Sequence, residues 1–121
     1  MAKDLQITML FDIYGDMLTQ KQRDFITYYY DDDLSLSEIA QNEGITRQGV
    51  RDSIKRAEAQ LQDFEAHLGL YQRFQELQKG LQEISDMADI INEVNMRTIL
   101  SREINDAVSR IQTLTKLLNE A

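Results

Sequence analysis

LSEIAQNEGITRQGVRDSIKRA, residues 36–57, is the stretch that decides the fold. Ser35 or Ser37 offers a cap for a short first helix carrying Ile39 and Ala40. Ala40 is small, as a second helix crossing closely over the first requires. Gly44 permits the left-handed backbone of a sharp turn, and Ile45 is expected to plug the space between the two helices. Thr46 caps the second helix, whose inner face is Val50 and Ile54. That leaves Arg47, Gln48, Arg51 and Lys55 on or near the outer face, close to the helix N-terminus. A helix-turn-helix presents such positions to base edges in the major groove of DNA, where arginine reads guanine and glutamine reads adenine.

The distribution of charge points to the same helix. The 121 residues carry 13 basic and 21 acidic side chains, a net charge of −8. Residues 1–45 hold nine acids and three bases, a net of −6. In residues 46–57, Arg47, Arg51, Lys55 and Arg56 stand against Asp52 alone, a net of +3. Lys55 and Arg56 are available to phosphates. The one cationic patch therefore lies on the helix expected to meet double-stranded DNA, on a chain that otherwise repels it.

Outward from this stretch the pattern is helical almost end to end, and the absence of proline suits long uninterrupted helices. Leu5, Met9, Ile13 and Met17 recur every four residues with Leu10, Tyr14 and Leu18 beside them, which predicts a first amphipathic helix. Thr19 with Gln22 forms a capping box before a helix that carries Phe25, Ile26, Tyr29 and Tyr30 inward and ends at Asp31-Asp32-Asp33. The helix after Thr46 continues its stripe through Ala57, Leu61, Phe64 and Leu68 to Gly69. From Tyr71 the signal becomes heptads. Phe74, Leu77, Leu81, Ile84, Ala88 and Ile91 make one seam, and Leu100, Ile104, Ala107, Ile111, Leu114 and Leu118 a second. Asn92, Asn95 and Thr98 are weak helix formers, so a turn between Asn92 and Thr98, giving a hairpin, is preferred to one helix running through a stutter. The expectation is an all-α protein with a helix-turn-helix head over 1–69 and a coiled-coil-like tail over 70–121. Such apolar seams favour dimerisation, and a homodimer would bring two recognition helices to one duplex.

Several spaced blocks now add a resemblance. Residues 18–25, LTQKQRDF, followed by Ser37-Glu38-Ile39-Ala40 and Gly44-Ile45-Thr46-Arg47, resemble region 4 of bacterial sigma factors, which contacts the −35 promoter element. With Leu10-Phe11-Asp12-Ile13-Tyr14, Tyr29-Tyr30, residues 32–36 and Ile54-Lys55-Arg56, the stretch from about 5 to 75 is similar to the YlxM family of helix-turn-helix proteins. The resemblance implies a bacterial gene neighbour of the signal recognition particle components and a regulatory role in that pathway. It supplies no catalytic residue. Glu43 before the turn glycine, Gly49 and Arg51 depart from the commoner pattern.

Other chemistry finds little material. Zero cysteines exclude disulfides, thiolate metal sites and cysteine nucleophiles, and His67 is the only histidine. Asp31, Asp32 and Asp33 lack the alternating spacing and glycine of a calcium loop and read as a solvated helix end. Asp86, Asp89 and Glu93 share a helix face without the histidines of a carboxylate-bridged metal pair. Tyr28, Tyr29 and Tyr30 read as a helix burying two rings in the core rather than a base-stacking platform. No enzyme activity, metal or cofactor is expected. The N-terminus has no signal-peptide pattern and no apolar run approaches a membrane span, so a cytoplasmic protein without membrane contact is expected. The reading from a different class is an interaction module that binds a protein or RNA component of the signal recognition particle through its acidic or basic surface.

Overall fold

The computed structural model describes residues 1–120, and every regular element among them is helical: the protein is all-α. It divides into two compact units, Met1–Tyr71 and Gln72–Ala121.

In the first unit, short helices start where a side chain can satisfy the free N–H groups of a first turn. Asp4 accepts from the Gln6 N–H and opens α1 (Leu5–Tyr14), which runs into a 3₁₀ turn at Gly15–Met17. Thr19 and Gln22 form the expected capping box for α2 (Gln20–Ile26), extended by a π turn over Thr27–Asp31. Ser35, rather than Ser37, caps α3 (Leu36–Glu43), with Glu38 reaching back to complete a second box. Gly44 takes the left-handed conformation at φ 68°, and Thr46 accepts from the Gly49 N–H at 3.0 Å to open α4 (Arg47–Leu68).

The core of this unit forms around α4, which packs on α1, α2 and α3. Val50, Ile54, Ala57 and Leu61 are fully buried against Ile7, Leu10, Tyr14, Phe25, Ile26 and Ile39. Beyond Leu61 the stripe loses its cover: Phe64 is half-buried and Leu68 exposed. The buried face of α1 also differs from the repeat read in the sequence. Of the row read there, Leu5, Met9 and Met17 are 81%, 50% and 54% exposed and only Ile13 packs on the core, whereas Leu10, Tyr14 and Leu18, read beside it, are buried together with Ile7. A row of i+4 steps slides about 40° around a 3.6-residue helix at each step, but alternating steps of three and four stay on one side. The outer side of α1 is apolar as well, and that made the wrong row the more visible one.

The end of α1 is fastened by a buried tyrosine. Tyr14 donates to Glu65 Oε1 at 2.6 Å, and its oxygen accepts from the Leu70 N–H at 3.1 Å. The same carboxylate oxygen accepts from the Tyr71 N–H at 2.9 Å. Burial and the Glu65 bond both push the Tyr14 phenol above its ordinary pKa.

The second unit is a helical hairpin of α5 (Leu70–Arg97, its first two residues in the first unit) and α6 (Arg102–Glu120). The turn exists, but later than expected, over residues 98–101, because Asn95 clamps it rather than breaking the helix. Asn95 donates to the Ser101 carbonyl at 3.0 Å and accepts from the Ser101 N–H at 2.8 Å. Leu100 is held at φ 54°, in the left-handed region that a leucine rarely adopts.

The seams also face differently. Of the two apolar rows, only Ala88 is fully buried; Phe74, Leu77, Ile84 and Ile91 on α5, Leu100 in the turn, and Ala107, Leu114 and Leu118 on α6 are exposed. The hairpin instead closes over Ala88, Asn95, Val108 and Thr115.

Candidate nucleic-acid interface

The turn at Gly44–Thr46 and the burial of Val50 and Ile54 fix which side of α4 faces water. With those two residues inward, the helical period turns Asp52 directly outward, with Gln48 and Arg56 about 40° to either side of it, and Lys55, Arg51 and Arg47 progressively further round on the Gln48 flank. All five residues expected at the interface, Arg47, Gln48, Arg51, Lys55 and Arg56, are exposed. The first three come together: with Met1 and Leu36 they line a shallow depression of about 390 Å³ at the start of α4. Lys55 and Arg56 lie one to two turns further along, outside it.

The cations are differently engaged. Among the described residues no ion pair holds Arg47, Arg51 or Arg56. Lys55 stands 4.0 Å from Glu58, a buried carboxylate that also accepts from the Tyr30 hydroxyl at 3.0 Å. Burial and this bond push the Tyr30 phenol up to about 12. Lys55 therefore neutralises a structural carboxylate as well as offering charge to a phosphate.

Asp52 is the residue that sequence reasoning passed over. It accepts from Gln48 Nε2 at 2.9 Å, in the middle of the outward face. The i, i+4 spacing of a glutamine and an aspartate on one helix was the signal that could have revealed it. The contact orients the Gln48 amide but occupies one of its two N–H donors, the group that would bond an adenine acceptor.

Two turn residues also differ from expectation or gain a reason. Ile45 is 38% exposed rather than a plug between α3 and α4, and its N–H donates to the Ala40 carbonyl at 3.2 Å. At Gly49 a Cβ would come within 3.1 Å of the Thr46 hydroxyl. The glycine leaves room for the cap that starts the helix.

Elsewhere the acidic residues pair or stay solvated. Asp31, Asp32 and Asp33 are exposed, and Lys3 pairs with Asp33, holding that carboxyl below its usual value. Among the described residues, no group of three or more histidine, cysteine, aspartate or glutamate side chains is arranged to hold a metal ion. No helix is long and apolar enough to cross a membrane, again among the described residues.

Residues 1–101 match the family described as "UPF0122: Putative helix-turn-helix protein, YlxM / p13 like". UPF0122 proteins of Bacillus cereus (strain AH187), Bacillus anthracis (strain A0248) and Bacillus thuringiensis subsp. konkukian (strain 97-27) are similar to this chain. Each is 40% identical over 114 residues, covering 94% of this chain and 98% of the relative.

Proposed function

The chain belongs to the UPF0122 family of YlxM/p13-like helix-turn-helix proteins, and on that footing we propose that it is a regulatory protein that binds double-stranded DNA through the N-terminal half of α4. One observation carries the reading. Arg47 and Arg51 stand exposed and, among the described residues, without an acidic partner at the start of a helix seated on α3 by a capped glycine turn. Arg47, Gln48 and Arg51 then meet base edges, and Lys55 and Arg56 meet phosphates. Two copies joined through their tails would present two such helices to one operator, as half-site recognition requires. The resemblance read in the sequence adds the signal recognition particle pathway as the set of genes regulated, from a cytoplasmic location. Catalysis has no part in this reading.

The test is a binding titration at ~50 mM salt, where phosphate contacts are strongest. The ligands are duplex DNA from upstream of the protein's own operon, a scrambled duplex, and the RNA of the signal recognition particle. Selective binding of the upstream duplex is expected. Equal affinity for both duplexes, or no affinity for either, overturns the reading.

A second reading has its own support: Asp52 in the middle of the outward face, and the net −6 over residues 1–45. Under it, the chain binds a basic protein partner, such as a component of that particle, through its acidic surface. Charge reversal at Asp31 and Asp32, both exposed, separates the two. It weakens a basic partner and leaves DNA affinity unchanged or improved.

A further inference from the structure

The hairpin of α5 and α6 has almost no interior of its own. Among the described residues beyond Gln72, its only buried apolar side chains are Ala88 and Val108, joined by Asn95 and Thr115. The side-chain oxygens of Asn92 and Asn119 are buried without a hydrogen-bond partner. Ordering a residue's backbone costs ~1–2 kcal/mol, and an interior this small and this polar does not offset it along two helices of 28 and 19 residues.

The two sides of the hairpin differ in kind. Along one side, α5 and α6 form a groove lined by Leu81, Gln82, Ser85, Gln112, Thr115 and Lys116, a wet surface on which Leu81 is the one apolar side chain. The groove on the other side is lined by Gly80, Ile84, Met87, Ala88, Ile91 and Ile111, with Glu83 the one charged side chain at its edge. On that side α5 carries Leu77, Gly80, Ile84, Met87, Ile91 and Val94, alternating steps of three and four as a coiled-coil seam does. Leu77, Ile84, Met87, Ile91 and Val94 are each 44–55% exposed, and the helical period puts Leu114 and Leu118 of α6, 40% and 60% exposed, on the same side. Gly80 adds an independent sign. A glycine inside a helix costs ~1 kcal/mol relative to alanine, yet a Cβ there would meet nothing within 4 Å. Nothing within the chain calls for its smallness, whereas close approach of another helix does.

We propose that this apolar side packs against the same side of a second copy, making a four-helix bundle, and that the hairpin folds only as that dimer forms. The proposal rests on the reading of the tail as the part that associates, not on DNA binding. The available area fits that occupant. Half-exposed aliphatic side chains along both helices leave on the order of 700 Å² of apolar surface per chain, close to the ~800 Å² per partner of a standard interface. Charge fits too. Residues 72–121 hold six bases and eight acids, a net of −2, so pairing there keeps the two −6 segments of residues 1–45 out of the contact. A two-fold arrangement makes the seams self-complementary, as closed dimers require.

Sedimentation of the full chain without nucleic acid tests this, read together with circular dichroism. All five tyrosines, Tyr14, Tyr28, Tyr29, Tyr30 and Tyr71, lie in Met1–Tyr71. The near-ultraviolet tyrosine signal therefore reports the first unit, while the far-ultraviolet signal reports all helices. The native protein is expected at twice 14.1 kDa, with mass and helicity falling together on dilution. Ile84→Asp is expected to give the single-chain mass and lose helicity with its tyrosine signal retained. Lys116→Glu, on the wet side, is expected to remain a dimer. A native protein that is monomeric at ~50 µM with full helicity overturns the proposal, as does a dimer that survives Ile84→Asp. If Ile84→Asp also disturbs the tyrosine signal, the dilution series decides alone. A monomer that binds DNA defeats this proposal only; a dimer that binds no DNA defeats only the DNA reading.

Discussion

A carboxylate on the face proposed to meet DNA has to be weighed against the cations around it. Asp52 holds the Gln48 amide and sits next to Arg51, lowering the local positive charge where base contact is proposed. Asp52→Asn keeps an oxygen for Gln48 and removes the charge. Affinity for duplex DNA is expected to rise about three- to tenfold, since ~1 kcal/mol corresponds to roughly that range. Fluorescence anisotropy reads it, and unchanged or weaker binding contradicts the placement of Asp52 at the interface. At Tyr30 the prediction concerns stability. The phenol ionises near 10.0 when unfolded and is held neutral to about 12 in the fold. Its contribution is therefore complete below pH 10 and lost as pH climbs from 10 towards 12. Denaturant titrations across that window are expected to show falling stability of the first unit, and Tyr30→Phe is expected to flatten the slope.

At the scale of elements, the caps set where the presenting helix begins. Thr46→Ala leaves the Gly49 N–H without its acceptor and is expected to cost ~1 kcal/mol of stability in the first unit, measured by urea unfolding. No loss would mean that Thr46 does not hold the start of α4. Caps of this kind were legible in the sequence because they are local: Thr19 with Gln22, Thr46, and Gly44 each act within a few residues. Facing was less legible. Leu5, Met9 and Met17 follow a helical repeat as Ile7, Leu10 and Tyr14 do, and only the neighbours of α1 decide which side is buried. The heptads of the tail were found, but Ile84 and Ile91 face outward while Asn95 faces in. Period is a property of one helix; the choice of side belongs to whatever packs on it. The same limit hid Asp52, whose effect depends on the outward direction of α4.

For the whole molecule, the decisive quantity is how a chain of net charge −8 approaches another polyanion. Long-range repulsion disfavours encounter, so the proposed binding would depend on the short-range contacts of residues 46–57, where the net charge is +3. Affinity is expected to fall with salt at a log–log slope of about −0.9 per phosphate neutralised. Arg51 is a clean point of attack, since it is exposed and without an ion pair among the described residues. The most direct measurement compares the affinity of native protein and Arg51→Glu for the upstream duplex at ~50 mM salt, with tyrosine circular dichroism as the control for folding. A loss of at least about tenfold is expected, the range of a guanine contact and more for a reversed charge, with an unchanged tyrosine signal. Unchanged affinity in a folded Arg51→Glu protein contradicts it.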